Sequence, residues 1–157
     1  MRVPPHDIEQ ALAELRAAVD APDELRLLPL LDLALAVVRG DTSVDRDRLV
    51  GDAAPYVTAA KLSVATCVSS LEHRLMCTFY GDEWVRVCEH RSRIEALRRL
   101  WPEPIAGLFP FYFDTETVDD LMRRKSTCEG GLRDDQIPKG TPTSHFWWWL
   151  PGEAPSE

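Results

Sequence analysis

The sequence predicts an all-α, mainly helical fold: a single-domain helical bundle around an αα-hairpin, with an irregular aromatic C-terminal cap. Residues 56–80 and 82–101 both repeat apolar side chains at spacings of three and four, the pattern of amphipathic helices. Only Gly81 separates them, and so short a link predicts an αα-hairpin. A chain of 157 residues suits one domain with one core. We therefore expect a single helical domain over residues 1–150 and a disordered tail over residues 151–157.

Two further helices are predicted ahead of the hairpin by their apolar stripes and terminal residues. They span residues 7–19, capped by His6 or Asp7, and residues 22–40, ending at Gly40. Pro29 kinks or restarts the second helix, whose C-terminal half is apolar on nearly all sides and is expected to be central. Asp32 is the polar exception in that half. It lies either on the helix rim facing water or in the core with a partner.

Helix-breaking residues set the remaining boundaries. Gly51 and Pro55 limit a short helix, and Pro102 ends the second arm of the hairpin. After Pro102 the periodicity fades into a buried loop or extended segment. The two remaining short helices are predicted over residues 44–50 and 116–125. The long helix before Gly81 has a near-heptad seam formed by Val57, Ala60, Val64, Val68, Leu71, Leu75 and Phe79.

Composition and charge restrict the class of partner. The net charge is −8 and the pI is near 5, which argues against general binding to nucleic-acid phosphates or to an anionic membrane surface. The first residues contain no apolar segment of a secretory signal, and the longest apolar run, about 12 residues at 27–38, is shorter than a membrane span. We therefore expect a cytoplasmic protein whose four cysteines are thiols.

One arm of the predicted hairpin carries a recognisable arrangement of Trp, Cys, His and apolar residues. Its members are Trp84, Cys88, His90, Ile94, Leu97, Leu100 and Trp101. Together with Cys128, His145 and Leu150-Pro151, it resembles a small domain of unknown function encoded on plasmids and other mobile elements of actinobacteria. The resemblance also leads us to expect a Trp pair just before the histidine, where this chain has Val85, Arg86 and Val87. The resemblance covers the C-terminal half and implies a genomic neighbourhood, not a reaction.

Cysteine and histidine residues offer a candidate zinc site. Zinc prefers four such ligands in a tetrahedron, and His73 and Cys77 lie four residues apart, on one face of a predicted helix. Cys88 and His90 point about 200° apart on the next helix, so both cannot face one ion. The candidate ligands are His73, Cys77 and Cys88 with Cys128 or His145. The alternative is that Cys67, Cys77 and Cys88 are small core residues, as buried thiols commonly are.

The segment 144–151, SHFWWWLP, concentrates aromatic side chains near the C-terminus. Left in water, it would form a sticky apolar patch. It either packs on the protein's own helices near Trp84 and Trp101 or anchors another protein, because Trp and Tyr dominate interface hot spots. In the second case the partner-binding residues are Phe146, Trp147, Trp148 and Trp149.

No catalytic residue is predicted, because the sequence has no nucleophile elbow, P-loop or dinucleotide fingerprint. A reaction of the Cys128 thiol, with His145 as its base, is a weaker alternative. Acidic residues cluster at 41–52 and 114–120, and acidic faces steer basic partners.

We therefore expect a non-enzymatic, cofactor-free interaction or regulatory protein, similar in role to immunity or inhibitor proteins, whose partner is another protein, favoured to be basic. The alternatives are a small zinc-binding helical protein and DNA association through Arg86, Arg91, Arg93, Arg98 and Arg99.

Overall fold

The computed structural model describes residues 7–76, 83–129 and 131–156, with the backbone alone at residues 128 and 129. Within these ranges the predicted all-α class is confirmed, because the chain forms seven α-helices and no β-strand. None of these helices combines the length and the apolar composition that a transmembrane span requires. The helices are α1 (Ile8–Asp20), α2 (Glu24–Arg39), α3 (Arg46–Ala59), α4 (Lys61–Met76), α5 (Glu83–Leu100), α6 (Pro102–Ala106) and α7 (Glu116–Glu129). Two 3₁₀ helices, Asp134–Gln136 and Phe146–Trp149, follow them.

The first two helices begin and end where their capping residues predict. The carboxylate of Asp7 accepts a hydrogen bond from the backbone N–H of Gln10 at 2.6 Å and so caps α1. Asp23 caps α2 in the same way, at 2.9 Å from the backbone N–H two residues on. Gly40 ends α2 in the left-handed conformation, with φ 70°, which glycine adopts without steric cost. Pro29 lies inside α2 without ending it.

The prediction that Gly51 and Pro55 lie beyond the end of the third helix is wrong. Both lie inside α3, which continues to Ala59. Its buried side chains, Leu49, Ala53 and Val57, are spaced four residues apart and pack into the core on both sides of the two helix-breaking residues. Tertiary packing of this stripe therefore outweighs the unfavourable helix propensity of glycine and proline. The predicted helix over residues 56–80 is in consequence divided between α3 and α4.

The predicted seam is buried as far as the structure describes it. Its members Val57, Ala60, Val64, Val68, Leu71 and Leu75 are all in the core. Phe79 and the link of the predicted hairpin, residues 77–82, lie outside the described residues. α4 packs against α5 and α7, and α2 packs against α1 and α5. Since the most extensive helix contact joins α1 and α2, the core is shared between that pair and the α4–α5 pair.

Helix α5 is covered on more sides than its apolar stripe predicts. The stripe residues Trp84, Val87, Cys88, Ile94, Leu97 and Leu100 are buried, and so are His90, Arg91 and Ser92. Consecutive residues point about 100° apart on a helix, so these three side chains cover much of its circumference.

Asp32 of α2 lies at the rim of α5. Its carboxylate is 41% exposed and accepts a hydrogen bond from Arg93 Nε at 2.8 Å. The rim placement is therefore confirmed.

Pro102 begins a helix, and the prediction of a loop or extended segment directly after it is wrong. Pro102 occupies the first position of α6, where its missing N–H removes no helical hydrogen bond. Trp101, between α5 and α6, is buried and donates its indole N–H to the Val50 carbonyl oxygen at 2.9 Å. Asp114 accepts a hydrogen bond from the first N–H of α7 at 3.0 Å and so caps that helix.

Candidate functional site

The aromatic tail, residues 144–151, is docked in the core through Ser92 of α5. The indole N–H groups of Trp147 and Trp148 donate to the Ser92 hydroxyl oxygen at 3.0 and 2.8 Å. The same oxygen lies 3.1 Å from Nδ1 of His145. Ser92 and Trp148 have no exposed surface, and Trp147 and His145 are only 1% and 2% exposed. These four side chains form one buried polar group, the Ser92 cluster.

The hydrogen-bond donors of the Ser92 cluster determine the tautomer of His145. An indole N–H can only donate, so the Ser92 oxygen accepts twice and has one proton left to give. That proton goes to Nδ1 of His145, which is therefore the unprotonated ring nitrogen. With both lone pairs of Ser92 occupied and its oxygen buried, no lone pair is available to attack a substrate. The Ser–His contact is structural and is not a catalytic pair.

Arg91 adds a buried ion pair to the docking site of the tail. Its guanidinium donates to Asp119 of α7 through Nε at 2.7 Å and Nη2 at 3.2 Å. Nη2 also donates to Glu95 at 2.9 Å. The guanidinium carbon lies 4.3 Å from the ring centroid of Trp147, a cation–π contact. One side chain thus joins α5, α7 and the tail.

Two buried histidines are neutral at pH 7. Burial, reinforced by the guanidinium groups of Arg91, Arg39 and Arg99, lowers the pKa of His145 from 6.5 to about 4. Burial, together with the guanidinium of Arg74, lowers the pKa of His90 to about 4 as well. Neither side chain therefore contributes positive charge to the folded protein near neutral pH.

We expect the free energy of unfolding to fall as the pH is lowered from 6.5 to about 4. In this window both histidines take up a proton in the unfolded chain but stay neutral in the folded protein. Above the unfolded-state pKa, protonation of the two histidines does not reduce the free energy of unfolding. The free energy of unfolding decreases as the pH falls through the window, and below about pH 4 these histidines change it no further. The loss is on the order of 3 kcal/mol for each histidine.

Urea denaturation of the wild type and of His145→Asn at several pH values measures this loss, because the asparagine oxygen can replace the Nδ1 acceptor. The variant should lose less stability across the window than the wild type. Equal losses in the two proteins would contradict the assignment to His145.

The four residues predicted to bind a partner do not form an exposed patch. Trp147 and Trp148 are buried in the Ser92 cluster, and Phe146 and Trp149 are half-buried. The Cys88 thiol of α5 lies 3.6 Å from the Trp147 carbonyl oxygen and completes the packing of the tail on that helix. The tail therefore packs on the protein's own helices, the first of the two alternatives. A partner can reach Trp147 and Trp148 only if the tail undocks.

The predicted zinc ligands do not come together in the described part of the chain. His73 is exposed on α4, whereas Cys88 and His145 are buried and face the Trp147 carbonyl and Ser92. Cys77 and the side chain of Cys128 lie outside the described residues. The ligand set that includes His145 is therefore wrong, because the burial of the tail directs Cys88 and His145 toward separate hydrogen-bond partners in the core. The set that includes Cys128 stays a prediction.

A different set of ligand-type atoms does converge. One atom each from Glu24, Cys67 and His90 lies within 4.8 Å of the others, beside a pocket of about 240 Å³. Nε2 of His90 lies 3.0 Å from the Cys67 carbonyl oxygen and 3.5 Å from Cys67 Sγ. Since a carbonyl only accepts, Nε2 carries the ring proton, and Nδ1 accepts from Arg74 at 3.4 Å. Burial raises the pKa of Cys67 to about 12, so this thiol is protonated at pH 7.

A larger pocket of about 540 Å³, the acidic cleft, lies between the end of α5, α6 and the start of α7. Its apolar wall consists of Pro102, Ile105, Ala106, Phe109 and Phe113, and its polar rim includes Arg98, Glu116 and Asp119. Phe109 is 47% exposed, and Phe111 in the same loop is 88% exposed. Single exposed apolar residues are common, but an exposed phenylalanine in a concave apolar wall, with a second one in the same loop, marks a candidate binding surface.

By fold and site geometry, the chain is an all-α helical bundle with a self-docked aromatic tail and an open acidic cleft. No protein-family model, curated protein or solved structure matches it. Nothing in the residues described above points to an enzymatic reaction.

Proposed function

We propose that the protein is a non-enzymatic interaction or regulatory protein that binds a basic protein partner through the acidic cleft. The observation that carries this proposal is the 88% exposure of Phe111, in the loop that also supplies Phe109 to the cleft wall. Fully burying a phenylalanine side chain contributes roughly 1.5–3 kcal/mol. A partner that covers this loop therefore gains free energy that the isolated protein does not realise.

The charge around the acidic cleft favours a basic partner. Residues 102–120 contain no Lys or Arg and five acidic residues, of which Asp119 and Asp120 pair with Arg91 and Arg123 and the other three are Glu103, Asp114 and Glu116. Arg98 enters from α5, but its guanidinium lies 3.5 Å from the Glu95 carboxylate, which offsets its charge. An acidic rim attracts Lys and Arg and raises the association rate. The ligand that complements this surface is a basic segment. It has Lys or Arg on both sides of one aromatic or aliphatic residue, whose side chain enters the cleft.

The same proposal gives the protein a cellular setting. It acts in the cytoplasm, a reducing compartment in which free thiols such as those of Cys67 and Cys88 persist. The sequence resemblance associates it with a mobile element, and a role like that of an immunity or inhibitor protein calls for a basic partner encoded nearby. The docked tail supports the cleft and is not itself the contact surface.

Selection from a randomised peptide display library tests the proposal without a known partner. We expect the selected peptides to place Lys or Arg on both sides of an aromatic or aliphatic residue. Their affinity for the full chain should fall as salt rises, because the acidic rim supplies part of the attraction. Phe111→Ser and Glu116→Lys should each weaken binding by about tenfold or more.

Leu25→Ser is the matched control for this selection, since Leu25 is also an exposed apolar residue, 67% exposed, but lies on α2 and lines a different pocket. Its peptide affinity should equal that of the wild type. Selected peptides without basic residues, or peptides that bind Phe111→Ser and Glu116→Lys as tightly as the wild type, would contradict the proposal.

A further inference from the structure

The pocket of about 240 Å³ lies among α2, α4 and α5 and combines an apolar wall with charged groups of both signs. Glu24 brings a carboxylate, Arg74 and Arg93 bring guanidinium groups, and the leucine wall consists of Leu25, Leu28 and Leu31. We propose that this pocket binds a free aliphatic α-amino acid as its zwitterion. None of its lining residues belongs to the acidic cleft, so amino-acid binding and the proposed partner binding can fail separately.

The pocket has the size and the position of a small-molecule site. Its volume is several times the ~30 Å³ that one water molecule occupies in the liquid, so it has room for a small organic ligand. Spaces between the helices of a bundle commonly bind such ligands through an apolar wall and a few polar groups. Both ring nitrogens of His90 already have partners, the Cys67 carbonyl oxygen at 3.0 Å and Arg74 at 3.4 Å. The pocket therefore offers no imidazole to a metal ion.

The Glu24 carboxylate supplies the negative charge of the pocket. It lies within 4.8 Å of Cys67 Sγ and of a ring nitrogen of His90, and both of these side chains are neutral at pH 7. Among the described residues this carboxylate has no ion pair, although Arg74 and Arg93 line the same pocket. An ammonium group of a ligand would supply the missing countercharge and form charge-assisted hydrogen bonds with Glu24.

The guanidinium groups of Arg74 and Arg93 supply the positive charge of the pocket. Arg74 donates to Glu83 at 3.3 Å and lies 3.4 Å from Nδ1 of His90. Arg93 donates through Nε to Asp32 at 2.8 Å. Because a guanidinium has five N–H donors, both arginines retain donors for the carboxylate of a ligand.

The two kinds of charge are placed for a ligand that carries both on one carbon atom. The Glu24 oxygen lies within 4.8 Å of a His90 ring nitrogen, and Arg74 Nη1 lies 3.4 Å from Nδ1 of the same ring. The two charged groups are therefore within roughly 10 Å of each other, a gap that one α-amino acid bridges with two charge-assisted hydrogen bonds of about 2.8 Å. Glu24 would repel a simple carboxylate, and the guanidinium groups would repel a simple amine. The zwitterion avoids both repulsions.

The leucine wall selects the side chain of the amino acid. Leu31 is buried, Leu28 is half-buried and Leu25 is 67% exposed, so the wall runs from the core to the protein surface. An aliphatic side chain placed along this wall removes apolar surface of the ligand and of the leucines from water. A charged side chain would lose that gain. We therefore expect valine, leucine and isoleucine to be preferred over acidic and basic amino acids.

Calorimetric titration of the full chain with L-leucine tests the site, with L-valine and L-isoleucine as further probes. We expect one equivalent to bind and the thermal midpoint of unfolding to rise with the amino-acid concentration. Two analogues of leucine each lack one charge: isocaproate has no ammonium group, and isoamylamine has no carboxylate. Each analogue should bind at least about tenfold more weakly than L-leucine, because one charged group of the pocket then has no partner.

Two variants assign the ligand to this pocket. Glu24→Gln and Arg74→Gln replace half-exposed side chains on helices, so the circular-dichroism spectrum should stay unchanged. Each should weaken L-leucine binding by about tenfold or more. Glu14→Gln and Arg86→Gln are the matched controls and should bind as the wild type does. Glu14 is a half-exposed helical glutamate outside the pocket, and Arg86 also pairs with Glu83, at 3.1 Å, but is 69% exposed and outside the pocket.

Three results would overturn the proposal. The first is the absence of saturable binding of all three amino acids up to about 10 mM. The second is an affinity for isocaproate or isoamylamine equal to that for L-leucine, which would show that one of the charges is not recognised. The third is an affinity for L-leucine that is unchanged in both Glu24→Gln and Arg74→Gln, which would place the ligand elsewhere.

Discussion

Replacing Ser92 with alanine is expected to lower the free energy of unfolding by ~3–5 kcal/mol, the largest effect that we predict for a single hydroxyl. The Ser92 oxygen is the acceptor for two indole N–H groups and the donor to His145. Its loss leaves three buried polar atoms without a partner, at a cost of about 1–3 kcal/mol each before relaxation. Partial undocking of the tail would restore contact with water, which keeps the total below the sum.

Urea denaturation monitored by tryptophan fluorescence measures the effect of Ser92→Ala. Ser69→Ala is the matched control, because Ser69 is also a helical serine but is exposed on α4. The control should change stability by less than about 0.5 kcal/mol. If Ser92→Ala were no more destabilised than the control, the hydrogen bonds of the Ser92 cluster could not be what docks the tail.

Replacing Asp119 with alanine is expected to destabilise the fold by ~3 kcal/mol or more. Asp119 holds two hydrogen bonds from Arg91, whose side chain is only 2% exposed. Without Asp119, the buried guanidinium of Arg91 has Glu95 as its remaining carboxylate partner. The Nη1 atom of Arg91 already lacks a hydrogen-bond partner among the described residues. Breaking a buried pair from one side is costly because the remaining charge stays out of water.

Asp120 provides an internal control for this ion pair. It is the next residue of α7 and faces Arg123 at 3.5 Å, but its side chain is 71% exposed. Because exposed ion pairs contribute little, Asp120→Ala should change the free energy of unfolding by less than about 1 kcal/mol. Thermal and urea unfolding of the two variants compare them directly, and equal destabilisation would argue against a special role for the buried pair.

Asp119 also connects the two sites described here. Its carboxylate bonds Arg91 under the tail, and the residue lines the acidic cleft. Partner binding at the cleft and docking of the tail therefore share one side chain. Partner-binding experiments should for that reason use Glu116 and Phe111 variants, which leave the Arg91 pair intact.

Much of the fold is predictable from local patterns, because helix caps and apolar stripes act within a few residues. Asp7 and Gly40 set helix ends as expected, and the near-heptad seam before Gly81 is buried where described. The course of α3 through Gly51 and Pro55 was not predictable, since it depends on a buried stripe whose partners are distant in sequence. The α6 helix was missed because proline ends one helix and can begin the next.

The candidate site was only partly predictable. The burial of Ser92 and Arg91 depends on residues 119 and 145–148, which no helical spacing brings together. The cluster of Glu24, Cys67 and His90 likewise joins three helices, and the sequence had favoured other histidines and cysteines as ligands. The acidic cleft did leave a signal, namely aromatic residues at 109–113 within a stretch that has acidic but no basic residues.

Hydrogen exchange of the indole N–H groups, followed by NMR on the full chain, tests the central structural claim most directly. The chain contains five tryptophans, and the indole N–H groups of Trp147 and Trp148 donate to Ser92. We expect their indole protons to exchange only through global unfolding, with a free energy of exchange equal to that from urea denaturation. Exchange of either proton within seconds at neutral pH would show that the tail is undocked and would contradict this account.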